Sequence, residues 1–263
     1  MTDPYDMLAA IYDDFMEPPA LTVPLTRHII SEINERLGEG AAQSEAGVTP
    51  LTVADLGCGT GRILPELARS GFEIIAVDRS ARMLQHAMMR LDDEVPDYDK
   101  VLFVLQDLTQ LDLGGGVDAM LCLLDTVNHL SGPNQVKAFF RACFLELREG
   151  GILIFDVLRL SYMEEELGEQ VYYDVDDEHA LLWSNAFDPE AQVNTASMTY
   201  FYLSDDESYT REDTVVQERY YPPDQLRRWL LETGFSAVEV DGLLTETADH
   251  ESSSRRHFLL AIK

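Results

Sequence analysis

Short apolar runs alternate with stretches of helical spacing over roughly the first 160 residues. Residues 21–37, LTVPLTRHIISEINERL, repeat apolar positions at helical spacing and predict a helix that stops at Gly38. The small, polar stretch 38–50 reads as a loop. LTVADL (51–56) predicts a strand, and RILPELARS (62–70) a helix closed by Gly71. Pro65 falls in that helix's first turn, where a missing N–H costs little. FEIIAVD (72–78) is a strand, ARMLQHAMMRL (81–91) a helix, and VLFVLQD (101–107) and VDAMLCLL (117–124) two further strands. A long helix follows over 133–150, between Pro133 and Gly150, and then the strand GILIFDV (151–157). Strands alternating with helices imply βαβ units and a parallel sheet covered on both faces.

The period changes between residues 170 and 221. ALLWSNAF, QVNTASMTYFYLS and YTREDTVVQERYY alternate with period two and are separated by the turn sequences DPEA and DDES. They predict a three-stranded antiparallel meander inserted into the α/β pattern, which resumes with a helix over 223–234, the strand SAVEVDG and the terminal strand RHFLLAIK.

Composition narrows the class. The 263 residues are 46% hydrophobic, enough for a sizeable core. No apolar run reaches membrane-spanning length, and the acidic start MTDPYDMLAA lacks a signal-peptide pattern. Cys58, Cys122 and Cys143 have neither disulfide-framework nor zinc-type spacing, so a reducing, cytoplasmic setting is expected. The formal charge of −29 repels nucleic acid and anionic membranes and suits a neutral or cationic partner. His28, His86, His179, His250 and His257 have no paired metal-ligand spacing, and no metal is expected.

The candidate chemistry begins at VADLGCGTGR (53–62), a glycine loop between a strand and a helix. Such a turn lets a ligand lie against bare backbone, and free N–H groups at the following helix would favour an anionic group. The spacing G-x-G-x-G differs from the dinucleotide fingerprint G-x-G-x-x-G, which disfavours a dehydrogenase. Asp78 ends the next strand, where an acid can accept hydrogen bonds from both hydroxyls of a ribose.

These residues resemble the class I S-adenosylmethionine-dependent methyltransferases: DLGCGTG is similar to their first motif, AVDRSARML to the second and LQDL to the third. The resemblance implies a doubly wound, Rossmann-like seven-stranded α/β sheet, here with an inserted antiparallel β cap over 161–221, between 1–160 and 222–263. It implies S-adenosylmethionine as cofactor and S-adenosylhomocysteine as product. Gly57, Gly59 and Gly61 would lie against the methionine part, with Asp55 and Cys58 close by. Asp78 would bind the ribose, Met83 would pack on the adenine, Asp107 and Leu108 would meet the adenine edge and backbone near Leu123 the amino group, with Arg79, Gln106 and the lid tyrosines Tyr5 and Tyr12 also at the cofactor. YDMLAAIYDDFM, LDTVNHL, FDV and QERYYPPDQLRRWLLETGF are similar to features of a bacterial group within that family whose substrate is undefined.

On the acceptor side, LLDTVNHL places Asp125, Asn128 and His129 after the fourth strand, and His129 has an ordinary pKa suited to a base. Asp125 equally fits the cap of a helical turn. Asp156 ends the fifth strand and is a further rim candidate. Tyr5 and Tyr12 stand seven residues apart, two helical turns, and would share the face of a lid helix. In the inserted sheet, Trp183, Tyr200, Tyr202, Glu218 and Arg219 are candidates to line the acceptor pocket, subject to register. The expected reaction is direct in-line methyl transfer to a nitrogen or oxygen of a small molecule, with Tyr12, Asp125 and His129 as catalytic candidates. Methylation of protein or RNA, and non-catalytic cofactor binding, are the rival readings. A homodimer paired through the inserted sheet is a further expectation.

Overall fold

The computed structural model describes residues 4–9, 11–15, 19–38, 43–44, 47–175, 177, 179–204, 208–242 and 255–263. His250, most of the DDES turn and much of the 38–50 loop lie outside the described residues. The chain opens with three helices, α1 (Pro4–Leu8), α2 (Tyr12–Phe15) and α3 (Pro19–Leu37), and a short hairpin, β1 (Gln43–Ser44) and β2 (Gly47–Val48). The α/β part follows as β3 (Thr52–Leu56), α4 (Leu64–Arg69), β4 (Glu73–Asp78), α5 (Ala81–Glu94), β5 (Val101–Leu105), β6 (Val117–Cys122), α6 (Pro133–Glu146) and β7 (Leu147–Leu158). Then come β8 (Val171–Val175), β9 (His179–Asp188), β10 (Val193–Leu203) and β11 (Tyr209–Arg219), and finally α7 (Pro223–Thr233), β12 (Ala237–Val240) and β13 (Arg256–Ile262).

The main sheet has seven strands in the order β12-β13-β7-β6-β3-β4-β5. The five from β7 to β5 run parallel, and β13 and β12 close the other edge antiparallel. Strand order reverses between β3 and β6, so the loops leaving those two strands open a crevice at the sheet's carboxyl edge, where ligands of such sheets bind. One apolar layer, including Ile29, Ile33, Leu64 and Leu67, covers one face, and another, including Phe139, Phe140, Trp229 and Leu230, covers the other.

Two expectations need correction. The long helix ends at Glu146, not Gly150; Leu147 is already in β7, paired with Val117 and buried beneath α6. The inserted sheet has four strands, in the order β11-β10-β9-β8. The strand missed, VYYDV, is an edge strand with all five residues exposed, so it lacks the alternation that burial of one face imposes.

The inner face of this small sheet carries Leu181, Ala196, Met198 and Val216 against Leu8, Ile11 and Met83, which places it over the sheet's carboxyl edge. The N-terminal segment is latched there: the Ser80 hydroxyl donates to Asp6 at 2.6 Å, the Thr60 hydroxyl donates to Asp13 at 2.9 Å, and Arg90 is ion-paired to Asp13.

The glycine loop packs onto α5 through Gly61, whose φ of +76° is unfavourable for any side chain; an added Cβ would lie 2.9 Å from the Cα of Ala87. Gly61→Ala should therefore cost about 2–3 kcal/mol, strain plus a backbone clash. Gly114→Ala, at φ +84° in open space, should cost about 1 kcal/mol. Urea denaturation of both variants checks this, and equal losses would mean that the approach to α5 contributes nothing.

Candidate active site

The site is built where three loops converge. After β3, the N–H groups of Gly57 and Cys58 donate to the Val77 carbonyl at 2.8 and 3.0 Å, and Gly61 N–H donates to the Cys58 carbonyl at 2.9 Å. After β4, the Asp78 carboxylate accepts from Gly59 N–H at 2.9 Å and from Ser80 N–H at 2.8 Å. The loop's N–H groups thus hold the loop itself, and α4 begins only at Leu64; the free helix-terminal N–H groups expected from the sequence are largely committed. Gly57 lets the loops after β3 and β6 touch, since a Cβ there would meet the Thr126 side chain at 2.5 Å. Gly59, at φ +54°, faces open space on its Cβ side.

Three adjoining cavities surround this point. The first, about 120 Å³, is lined by Gly57, Gly59, Asp78, Arg79, Met83, Asp107 and Leu108, together with Tyr5, Tyr12 and His129. A smaller one lies behind the loop against Asp55, Cys58, Arg62 and Leu123. The third, about 560 Å³, lies between the sheet's carboxyl edge and the small sheet, and is lined by Tyr5, Tyr12, Asp125, His129, Trp183 and Glu218 among others. Tyr12 lines all three.

Most of the sequence-derived cofactor residues are therefore gathered around the first two cavities. Gly61 is not among their lining residues and packs on Ala87 instead. The Gln106 side chain braces a turn by bonding both backbone groups of Asp112. Tyr5 and Tyr12 meet with ring centroids 6.3 Å apart, but on two separate short helices rather than one continuous face.

After β6, Leu124 and Asp125 both take left-handed backbone, φ +59° and +58°, which non-glycine residues adopt only when their surroundings impose it. Asp156, 1% exposed at the end of β7, imposes it by accepting the Asp125 N–H at 3.2 Å and the Leu124 N–H. Arg256 of β13 is ion-paired to Asp156 at 2.9 Å and to Asp125 at 3.1 Å. Asp125 thus sits at the start of a 3-10 turn, Thr126–His129, without capping it through its side chain.

The imidazole of His129 has a defined tautomer. Nδ1 lies 3.2 Å from the Gln217 carbonyl, which can only accept, so Nδ1 carries the proton; Nε2 then accepts from the Tyr5 hydroxyl at 2.8 Å. Ligand atoms of Asp125, His129 and Glu218 all lie within 4.8 Å of one another, a cluster that spacing along the chain does not reveal.

Asn128 is spent on the scaffold. Its amide donates to the Arg219 carbonyl at 2.8 Å and accepts from the Leu158 N–H at 3.0 Å, tying β11 to β7. Register sorts the remaining candidates. Trp183 and Glu218 face the large cavity, whereas Arg219, the next residue along β11, bonds the Ala191 carbonyl. Tyr200 and Tyr202 stack on each other at 5.6 Å further along β10 and are not among the cavity's lining residues. Leu181, Ala196, Met198 and Val216 line it and were not singled out; alternation outward from Trp183 would have found Leu181. Arg256 was also missed, because its partner Asp125 is 131 residues away.

The electrostatics follow from burial. Asp55 is pushed up to about 8 by desolvation and by the charge of Asp78, and its buried Oδ2 has no hydrogen-bond partner in the protein. Desolvation raises Asp156 to about 7 against the opposing pull of Arg256. Burial and Asp125 raise Glu218 to about 8. The phenols of Tyr5 and Tyr12 are held protonated by burial. An unpartnered buried carboxylate oxygen beside an open glycine fits a ligand that is polar and cationic at one end, and the apolar Met83 and Leu108 with the carboxylates of Asp78 and Asp107 fit a nucleoside at the other.

Comparison with known proteins agrees. Residues 53–151 match the family model "Methyltransferase domain". The chain is 29% identical over 207 residues to "Putative methyltransferase YqeM" of Bacillus subtilis (strain 168), covering 78% of this chain and 82% of that one. The fold is similar to the crystal structure of an S-adenosylmethionine-dependent methyltransferase from Clostridium acetobutylicum, with TM-score 0.74, 23% identity and 99% of both chains covered. It is also similar to the sugar N-methyltransferase KedS8 from Streptoalloteichus, with TM-score 0.73, 17% identity, and 100% and 94% of the two chains covered. The glycine loop and its acidic partners thus lie in a stretch, residues 53–151, that matches a methyltransferase domain, and the chain as a whole is similar to S-adenosylmethionine-dependent methyltransferases.

Proposed function

We propose that this methyltransferase acts on a nitrogen or oxygen of a small molecule held in the 560 Å³ cavity beneath the small sheet. One observation carries the reading: Tyr12 borders the cavities around the glycine loop and the large cavity alike, so a single side chain stands where cofactor and acceptor would meet. A roofed cavity of that volume suits a small ligand better than a polymer. The sugar N-methyltransferase with this fold supports the same class. Residues 161–221 would then serve as the acceptor-side cap. No described helix is long and apolar enough to cross a membrane.

The cofactor would be held by Gly57, Gly59, Asp55, Asp78, Met83, Asp107 and Leu108, and it supplies a methyl carbon already activated for displacement. What remains for the protein is alignment, exclusion of water and, for an acceptor that carries a proton, a base. Asp125 and His129 are the candidates for that base. For His129 to serve, its Nε2 lone pair must first release the Tyr5 hydroxyl.

Purified protein incubated with methyl-labelled S-adenosylmethionine and separate metabolite, RNA and protein fractions of its source organism should label the metabolites. Label confined to RNA or protein would overturn the small-molecule reading. Tyr12→Ala should lower kcat/KM roughly 10- to 100-fold while the melting temperature stays within a few degrees; an unchanged rate would remove Tyr12 from the junction.

Asp55 gives a pH prediction. Its folded pKa of about 8 exceeds the ordinary aspartate value of 3.8, so between those limits the folded state holds a proton that the unfolded chain has released. Ligand-free stability should fall as pH rises through that window, by up to about 1 kcal/mol per pH unit from this group. Asp55→Asn should flatten the fall. If Asp55 must be ionised to meet the cofactor, S-adenosylmethionine affinity should rise between pH 6 and 8 in the parent chain and not in the variant. Melting and calorimetric titrations at several pH values check both.

A further inference from the structure

We propose that the acceptor enters as an organic ammonium ion and that Asp125 and Glu218 bind it at the inner end of the large cavity, against Tyr5 and Tyr12. The proposal rests on the small-molecule reading above and names the chemistry that the cavity selects.

The argument is one of charge. Asp125, Asp156 and Glu218 converge from three different elements: the turn after β6, the end of β7, and β11. Arg256 is ion-paired with the first two, at 3.1 and 2.9 Å. Glu218 receives a hydrogen bond from a neutral amide, Asn194 Nδ2 at 3.1 Å, and as the neutral acid shares a carboxyl–carboxylate hydrogen bond with Asp125. With all three ionised, one guanidinium faces three carboxylates. Burial, and after it the charge of Asp125, push Glu218 to about 8 against the pull of Arg256. A cation delivered to this point relieves both.

The position also discriminates between cations. Asp125 and Glu218 line the large cavity and neither of the cavities around the glycine loop, so their charge is directed at the acceptor rather than at the nucleoside or methionyl parts of the cofactor. Around them stand Tyr5, Tyr12, Trp183 and Tyr172, whose ring faces attract an organic ammonium. A metal ion on Asp125, His129 and Glu218 is disfavoured by the imidazole, because Nδ1 is protonated toward Gln217 and Nε2 is taken by Tyr5. Arg255, which also lines the cavity, is already matched: it lies 3.6 Å from Glu166 and over the Tyr162 ring.

The chemistry balances. The bound ammonium gives one proton to the Glu218 carboxylate, which becomes the neutral acid. The freed nitrogen lone pair forms the N–C bond as the C–S bond breaks, and that bond's electron pair goes to sulfur. The positive charge that began on sulfur ends on the methylated nitrogen, beside Asp125, where the carboxylate field stabilises it as it develops.

The test uses the full chain and labelled S-adenosylmethionine with the metabolite fraction, one half of which is first treated with an acetyl N-hydroxysuccinimide ester. That reagent blocks primary and secondary amines and spares alcohols. Blocking should reduce transferred label at least tenfold. Glu218→Gln should lower kcat/KM at least tenfold with S-adenosylhomocysteine affinity unchanged within twofold. A glutamine can still donate to Asp125, so a merely structural carboxyl–carboxylate bond would survive this change at full rate, and full rate would overturn the proposal. Label that persists after acetylation, in a product that mass spectrometry shows to be methylated at an atom other than an amine nitrogen, would overturn it as well. Transfer abolished by a chelator and restored by added divalent metal would give the three residues to a metal instead. Absence of label from the untreated metabolite fraction, with label in RNA or protein, would overturn the small-molecule reading itself.

Discussion

The contact on which the site depends is the one between the buried carboxylate of Asp156 and the backbone of Leu124 and Asp125. Two successive non-glycine residues in the left-handed region are unfavourable by roughly 1–2 kcal/mol each. A loop left to itself would relax. It does not relax because Asp156, fixed at the end of a central strand, accepts both N–H groups, and because Arg256 from the neighbouring antiparallel strand holds Asp156 and Asp125 together. The turn brings Thr126 against Gly57, setting the width of the crevice, and starts the 3-10 turn that presents His129 to Tyr5. Strain, charge and crevice shape therefore share one cause.

That arrangement explains how so much acid is buried here with one guanidinium, that of Arg256, beside it. Asp55, Asp156 and Glu218 all have raised pKa values, each with desolvation as the largest cause. Stability alone would favour apolar replacements, since an unpaired buried carboxylate costs several kcal/mol. The cost is understandable if the groups are matched to charges that arrive with ligands: one at the glycine loop and one in the acceptor cavity. A reaction that moves positive charge from sulfur to an acceptor needs favourable potential along that path, and the acidic groups lie on both sides of Tyr12.

That Gly57, Gly59 and Asp78 meet around one cavity was legible in the sequence because the logic of that meeting is local. Gly57, Gly59 and Asp78 lie within 22 residues, each at a strand's carboxyl end, and the βαβ pattern alone sets those ends together. Gly61 belonged to the same motif for a different reason, close packing on α5. The acceptor half was less legible because it depends on register and on distant pairs. Glu218 and Arg219 are neighbours in sequence and opposite in direction. Asn128 carries a promising side chain, but the scaffold consumes both of its amide functions. The pairing of Tyr5 with Tyr12 was anticipated from helical spacing, yet two short helices latched through Asp6 and Asp13 achieve it.

The small sheet shows what an insertion adds to an otherwise common fold. None of the described residues of its four strands lines the two cavities beside the glycine loop, yet the strands supply Trp183, Met198, Val216 and Glu218 to the large cavity. The parity of each strand decides which residues these are, and pairing across the strands keeps that parity fixed: Trp183 is opposite Met198, and Glu218 is opposite Asn194. A one-residue slip of β11 would exchange Glu218 for Arg219 and replace an acid with a base in the lining of the large cavity. Asn128 guards against that slip, since its amide holds the Arg219 carbonyl while its oxygen holds the Leu158 N–H of the main sheet. The lining of the large cavity is thus coupled to the docking of one sheet on the other, through a residue that lines none of the three cavities.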